Sequence, residues 1–399
     1  MNAQRPEVVL FTTANTGGLA EHIFYQSRAL QARGLRVLLI CPPGFLPGRV
    51  IPFPVQHWVY GMPPGNVPKI IRRVWQVAAL TLNHIRLGYW VWRLRPKLLL
   101  MDSYREYLAP FWAWALCMGL RKAGTLCAAN VHDPVRDFKV GPDWWHDWSV
   151  AQGYSFISIA LVHQEVPLGA KIPSRVRRVV VPVGVYDLPA PTAGLMELRA
   201  RFGVAKGLNV FLTFGFVRDN KNLDLLIAAL PEVPEAFLLV AGQAQSQANR
   251  PMTFYREMAH KLGVEKRCHF HDDFVAEADT GNFFAVADYV ALTYAATFHS
   301  QSGVLNLAAA ARKPVLASGA PGPLIEMVRQ FDLGVVVAPD RQDALVAGMI
   351  EIINRKWSPR WEEYHAHAGW DANVVLLMQA VDSLLKDRSD SGSGKSENA

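Results

Sequence analysis

Acidic residues are missing from a long early stretch of the chain. Between Glu21 and Asp102 there is no Asp or Glu, while eleven cations fall there: Arg28, Arg33, Arg36, Arg49, Lys69, Arg72, Arg73, Arg86, Arg93, Arg95 and Lys97. The remainder carries 30 basic against 34 acidic residues, so the net charge of +7 over 399 residues belongs to this stretch. Nine of the twelve tryptophans precede residue 150, and Trp75, Trp90 and Trp92 stand among those arginines. Basic residues interleaved with Trp suit an anionic surface, either phospholipid headgroups or nucleic acid. A basic solvated face over an aromatic core is the plainer reading.

Other scarcities narrow the class. The four cysteines, Cys41, Cys117, Cys127 and Cys268, are widely spaced with no CxxC pair, which excludes a disulfide framework and a structural zinc site and fits a reducing cytoplasm. The uncharged run Tyr107 to Leu120 has 14 residues. A spanning helix needs roughly 17–25, so monotopic attachment is the most it supports. Met1 to Glu7 shows no apolar h-region, and no export signal is expected. Charged residues make up 19% against 51% hydrophobic, which excludes a disordered chain. At this length two domains are expected.

The positive signals are those of a parallel α/β protein. An apolar run, Val8 to Phe11, is followed by the turn Asn15-Thr16-Gly17-Gly18, a helical stretch Leu19 to Ala32, Gly34, and a second apolar run Leu35 to Cys41. That order is the grammar of a βαβ unit. It recurs through Leu98 to Met101, a helix over Tyr107 to Leu120, and Thr125 to Ala129, with Val179 to Val183 as the last strand of this half. Gly184 to Gly194 holds two prolines, Pro189 and Pro191, and reads as a linker. The alternation then restarts with strands at Asn209 to Phe214, Ala236 to Val240, Cys268 to Phe270, Tyr289 to Leu292 and Pro314 to Ala317, and helices at Asn222 to Leu230 and Gly303 to Ala311. Two Rossmann-like domains facing a cleft are expected: 1–185, a linker 186–206, then 207–366, a C-terminal helix 367–386 and a disordered tail 387–399.

The turn after Val8 to Phe11 lacks the GxGxxG spacing of a dinucleotide site, which removes most support for a nicotinamide dehydrogenase. The second half is more informative. In Phe214 to Leu223 a glycine, Gly215, and two cations, Arg218 and Lys221, occupy a turn between strand and helix, where α/β folds bind ligands. An arginine fork beside a lysine point charge suits a diphosphate. Further on, Ser300-Gln301-Ser302-Gly303 opens an apolar helix, with a serine placed to cap it and a glycine that lets a ligand approach its amides.

At these residues the sequence resembles a known family. Phe214 to Leu226, the glycine turn at Gly242, Tyr289 to Tyr294, Ser300 to Ser318 and Asp332 to Ile350 are similar to the donor-binding domain of family 4 nucleotide-sugar glycosyltransferases, enzymes of the two-domain GT-B fold. The resemblance implies that Arg218 and Lys221 hold the donor diphosphate, with Gly17 and Gly18 brought to the same phosphates and Gly215, Ser300, Gln301, Ser302, Gly303 and Asn306 completing the donor site. His132, in Val131-His132-Asp133-Pro134, falls where the family has a histidine facing the sugar; Asn15 and Asp133 would meet the acceptor. Many members carry two glutamates around the donor helix, and His299 and Leu307 stand at those positions here. The Ser-Gln-Ser-Gly form resembles a variant of bacterial surface-polysaccharide transferases, in which Gln301 and the helix amides take over.

The implied function is retaining transfer of a sugar from a nucleoside diphosphate sugar to a lipid-linked or saccharide acceptor, with no obligatory cofactor or metal. An epimerase on the same fold and a non-catalytic binding module are the alternatives. Lys69, Arg72, Arg73 and Arg86, on an expected helix with Trp75, would rest the protein on an anionic inner-leaflet surface, giving a cytoplasmic, peripherally bound enzyme; lipid ranks ahead of nucleic acid because the second-half motifs concern sugar donors.

Overall fold

In a computed structural model the described residues are 5–61, 67–102, 104, 106–132, 139, 141–163, 171–246 and 249–393. They form two compact units, Met1–Gly184 with Trp370–Ala399, and Val185–Gly369.

The first unit is built on β1 (Val8–Phe11), β2 (Val37–Ile40), β3 (Val55–Gln56), β4 (Leu98–Met101), β5 (Leu126–Asn130), β6 (Ile159–Val162) and β7 (Arg177–Val180). Their order is β3-β2-β1-β4-β5-β6-β7 and every pairing is parallel, with Val8 opposite both Val37 and Leu98. Strands covered on both faces read as unbroken apolar runs, and VVLF, VLLI, LLLM and IALV are buried at each position. The edge strand β7 instead exposes Arg177 and Arg178, charges that discourage further pairing. The order reverses between β1 and β4, which makes their carboxyl ends the switch point of this sheet.

The second unit repeats the plan with β8 (Asn209–Phe214), β9 (Ala236–Ala241), β10 (Cys268–His271), β11 (Tyr289–Thr293), β12 (Val315–Ser318) and β13 (Gly334–Val336). The order β10-β9-β8-β11-β12-β13 is again parallel throughout and reverses between β8 and β11. Both units are Rossmann-like, the class expected from the alternation of runs.

Some elements depart from the expected pattern. Strands β3 and β6 were not legible as strands, and the stretch 186–206, read as a linker, contains the helix Leu195–Arg201, whose Leu198 is buried in the core with Phe202. The final helix, Trp370–Ser393, extends through 387–393, where a disordered tail is expected. Val374, Leu377 and Val381 lie buried along it at helical spacing, which supplies the packing that holds it. This helix belongs to the first unit: Trp370 stacks on Tyr25 with ring centroids 5.4 Å apart, and Arg33 pairs with Asp371 at 2.8 Å.

Candidate functional site

In the second unit, strand β8 runs into Gly215, which sits at φ +80, where a side chain would be strained. The turn is also crowded from beside it, since a Cβ at Gly242 would lie 2.3 Å from the Gly215 carbonyl oxygen. The chain then passes through Arg218 to a single 3-10 turn, Asp219–Lys221, and into the helix Leu223–Ala229. This loop is docked on the end of β11: Ala295 N donates to Asn220 O at 2.8 Å and Thr293 Oγ1 to Lys221 O at 2.8 Å. Asp340 ties the arrangement from a third side. Its carboxylate accepts from Asn222 Nδ2 and from Ala296 N, each at 2.8 Å.

The two cations of this loop are differently placed. Lys221 Nζ donates to Phe214 O at 2.7 Å, and burial, followed by the neighbouring Arg218 guanidinium, pushes its pKa down to about 7. Arg218 Nε is buried and has no hydrogen-bond partner among the described residues. A half-buried guanidinium with an unused donor is poised for an acceptor brought from outside.

Across the switch point, Ser302 stands at the N-cap position of the helix Gly303–Ala310 but makes no side-chain cap hydrogen bond, contrary to the capping expected of a serine there. Its hydroxyl is buried against Tyr294 Oη at 2.9 Å, so it positions the helix entrance from within rather than presenting itself to a ligand. Gly303 is exposed, and nothing stands within 4 Å of where its Cβ would be, which leaves the first helix amides approachable. Ser300 is exposed, and Gln301 Oε1 is buried without a partner among the described residues. Asn306, expected at the donor, is instead fully buried and accepts from Tyr364 Oη at 2.6 Å, joining this helix to Trp361–His367. Its place one helical turn inside the apolar helix explains the difference.

In the first unit, polar side chains collect at the carboxyl ends of β1, β4, β5 and β6. Gly17 takes φ +78 as the residue before the helix Gly18–Ala32, and both Gly17 and Gly18 have open space around them. Asn15 is exposed, and its carbonyl accepts from Leu46 N at 2.8 Å. Asp133 lies outside the described residues. His132, its side chain 27% exposed, places Nε2 3.2 Å from Oδ1 of the buried Asp102 and Nδ1 3.3 Å from Nε2 of His163. His163 Nδ1 donates to Val181 O at 3.1 Å.

A buried amide chain continues from Asp102. Asn130 Nδ2 donates to Asp102 Oδ1 at 2.9 Å and to Gln26 Oε1 at 2.7 Å; Gln26 Nε2 donates to Asn130 Oδ1 at 3.1 Å and to Asn373 Oδ1 at 3.0 Å. Asn373 Nδ2 then donates to Pro182 O at 2.8 Å. The network thus begins and ends on consecutive carbonyls, Val181 and Pro182. Burial raises the Asp102 pKa, against the His132 and Asn130 contacts that lower it. His22 packs edge-on to His132, ring centroids 4.9 Å apart, and one ring nitrogen from each of His22, His132 and His163 lies within 4.8 Å of the other two. Among the described residues these three are the group able to share a metal ion.

Of this group, only His132 was singled out in the sequence. Asp102 and His163 each directly follow an apolar strand, the position at which α/β folds carry ligands, and that was the available signal.

The expected membrane helix is Lys69–Leu94. Arg73 and Trp75 are exposed, together with Ile70, Ile71, Val74 and Val77. Arg72 is half-buried, its Nη2 3.5 Å from Val67 O, and Arg86 lies over the Tyr60 ring at 4.7 Å. Those two are therefore partly engaged by the protein itself. Among the described residues no helix is long and apolar enough to cross a membrane.

Residues 209–355 match the model of the family described as Glycosyl transferases group 1. The matched segment spans the second sheet with both of its loops. A comparison with curated protein sequences found no match. Among solved structures, HepE from Anabaena in complex with UDP and glucose aligns with a TM-score of 0.61 at 16% identity, over 96% of this chain and 99% of that one. Sucrose-phosphate synthase from Thermosynechococcus elongatus gives 0.66 at 16% identity over 96% and 100%. WaaG, a glycosyltransferase involved in lipopolysaccharide biosynthesis, gives 0.58 at 16% identity over 94% and 98%. These likenesses establish the two-domain GT-B fold.

Proposed function

We propose that the protein transfers a sugar, with retention of anomeric configuration, from a nucleoside diphosphate sugar held by the second unit to a lipid-linked or saccharide acceptor held by the first. The observation that carries this reading is the pairing, at one switch point, of a guanidinium with an unused donor, a lysine of lowered pKa and an open helix N-terminus. Departure of a nucleoside diphosphate builds negative charge, and Arg218, Lys221 and the amides at Gly303 answer it with fixed donors in a partly desolvated site. His132 would contact the donor sugar as it gains positive character. HepE was solved with UDP and glucose, and WaaG acts in lipopolysaccharide biosynthesis; these similarities support a UDP-type donor and a role in bacterial polysaccharide or glycolipid assembly.

The apolar and basic face of Lys69–Leu94 supports peripheral attachment to an anionic membrane, where a lipid-linked acceptor would be concentrated. Incubating the purified protein with radiolabelled nucleotide sugars and a membrane extract tests the reading. Label transferred to lipid or saccharide is expected. Interconversion of the free nucleotide sugars would instead identify an epimerase, and binding without turnover a non-catalytic module.

A further inference from the structure

We infer that His22, His132 and His163 form a binding site for one divalent transition-metal ion of the zinc type. The site shares His132 with the sugar-transfer reading, but ion binding there needs no donor.

The placement of hydrogens leads there. His163 Nδ1 faces the Val181 carbonyl, which can only accept, so Nδ1 carries the hydrogen and Nε2 of the neutral ring keeps its lone pair. His132 Nε2 faces Asp102 Oδ1, an oxygen already accepting from Asn130, so Nε2 carries the hydrogen and Nδ1 keeps its lone pair. His22 hydrogen-bonds to the Asn130 side chain while its Nε2 has no partner, so the bond is made by Nδ1. Both Asn130 amide hydrogens go to Asp102 and Gln26, which leaves its oxygen to accept from His22 and leaves the His22 Nε2 lone pair unused.

Three lone pairs therefore converge. His132 Nδ1 and His163 Nε2 are 3.3 Å apart, longer than a usual hydrogen bond of about 2.9–3.0 Å. Two nitrogens on a tetrahedral ion with bonds of about 2.0–2.1 Å are separated by about 3.3–3.4 Å, which is the observed span. Bringing in His22, within the 4.8 Å limit of the group, needs a shift of no more than about 1.5 Å.

The surroundings agree. Each imidazole is held through its outer nitrogen by a carbonyl, a carboxylate or an amide oxygen, the support that orients metal-bound histidines and raises their basicity. Among the described residues the buried Asp102 carboxyl meets the side chains of His132 and Asn130 and no Lys or Arg, and a bound dication would supply a counter-charge. Three imidazoles favour zinc, cobalt, nickel or copper over magnesium or calcium, which seek oxygen ligands. A tetrahedral ion on three imidazoles keeps a fourth position for water or a ligand oxygen, and His132, its side chain 27% exposed, is within reach of solvent.

The test is titration of the chelator-treated, full-length protein with Co²⁺, followed by visible absorption. Stoichiometric binding with strong tetrahedral ligand-field bands, displaced by Zn²⁺, is expected. His163→Ala should abolish the bands, and Asp102→Asn should weaken binding about 10–100-fold, with circular dichroism checking that each variant is folded. A parent protein that shows no such bands, or a folded His163→Ala that binds as the parent does, would overturn the site. The parent titration needs no variant and no nucleotide sugar, so its result is separate from that of the transfer assay.

Discussion

Lys221 Nζ reaches back 2.7 Å to the carbonyl oxygen of Phe214, the last residue of the strand that leads into its own loop. The bond holds the amine beneath the turn at Gly215 while burial and Arg218 lower its pKa to about 7. A diphosphate arriving there would restore the charged form, so binding near pH 8 should take up a proton. Calorimetry of UDP binding in buffers of different ionisation enthalpy measures this, and Lys221→Met should remove the uptake. The sign for stability follows the same shift. Between about pH 7 and the ordinary lysine range near 10.4 the unfolded chain holds a proton that the folded chain lacks, so this group makes stability rise with pH across that window. Lys221→Met should flatten that part of a denaturation profile.

Arg218 contributes a fork with an unused nitrogen. Arg218→Ala should weaken nucleoside diphosphate binding by roughly 1.5–3 kcal/mol, about 10–150-fold, with the thermal transition nearly unchanged. Arg218→Lys should recover only part of the loss, because an ammonium cannot reproduce bidentate contacts. Equal affinity in the alanine variant and the parent would remove the diphosphate from this loop.

Asn373 bridges Gln26 and the Pro182 carbonyl inside the first unit. Asn373→Leu takes one hydrogen-bond partner from the buried Gln26 amide and one from the half-buried Pro182 carbonyl, and a buried group left unsatisfied costs about 1–3 kcal/mol. Urea denaturation should show a lower midpoint with an unchanged slope. Nucleoside diphosphate affinity, which belongs to the second unit in the proposed scheme, should not move.

The exposed face of Lys69–Leu94 gives a salt-sensitive prediction. Liposomes with anionic lipid should sediment the protein at low salt, neutral ones should not, and added salt should release it. Arg73→Glu should reduce sedimentation more than Arg86→Glu, since Arg73 is exposed whereas Arg86 lies over Tyr60. Failure of the parent to bind anionic liposomes would leave the face as solvated surface.

The second unit was legible because β8, β9 and β12 are largely apolar runs each followed by a glycine, and Asn209–Phe214 has the bounds expected of it. The turn with its two cations was legible for a related reason: Gly215, Arg218 and Lys221 are neighbours in sequence as well as in space. The first unit's polar group was not, because it is assembled from five separated segments, and His22, Asp102 and Asn373 gain meaning only once the strand order brings them together. Strand β6 was missed as a short four-residue run, and with it the position of His163 at a strand end. Asp340 was unreadable for the same physical reason, since it acts on a loop more than a hundred residues earlier. Asn306 shows the converse limit: a polar residue near a motif was read toward the ligand, though helical spacing turns it into the core.

The first unit is interrupted by the whole of the second and resumes at Trp370. Its amide network therefore waits for Asn373, and its core for Val374, Leu377 and Val381, residues that leave the ribosome after every strand of both sheets. Domains fold as units while the chain is made, so the middle unit can be finished while the first is still open along the side that Trp370–Ser393 will cover. The unit begun first is completed last.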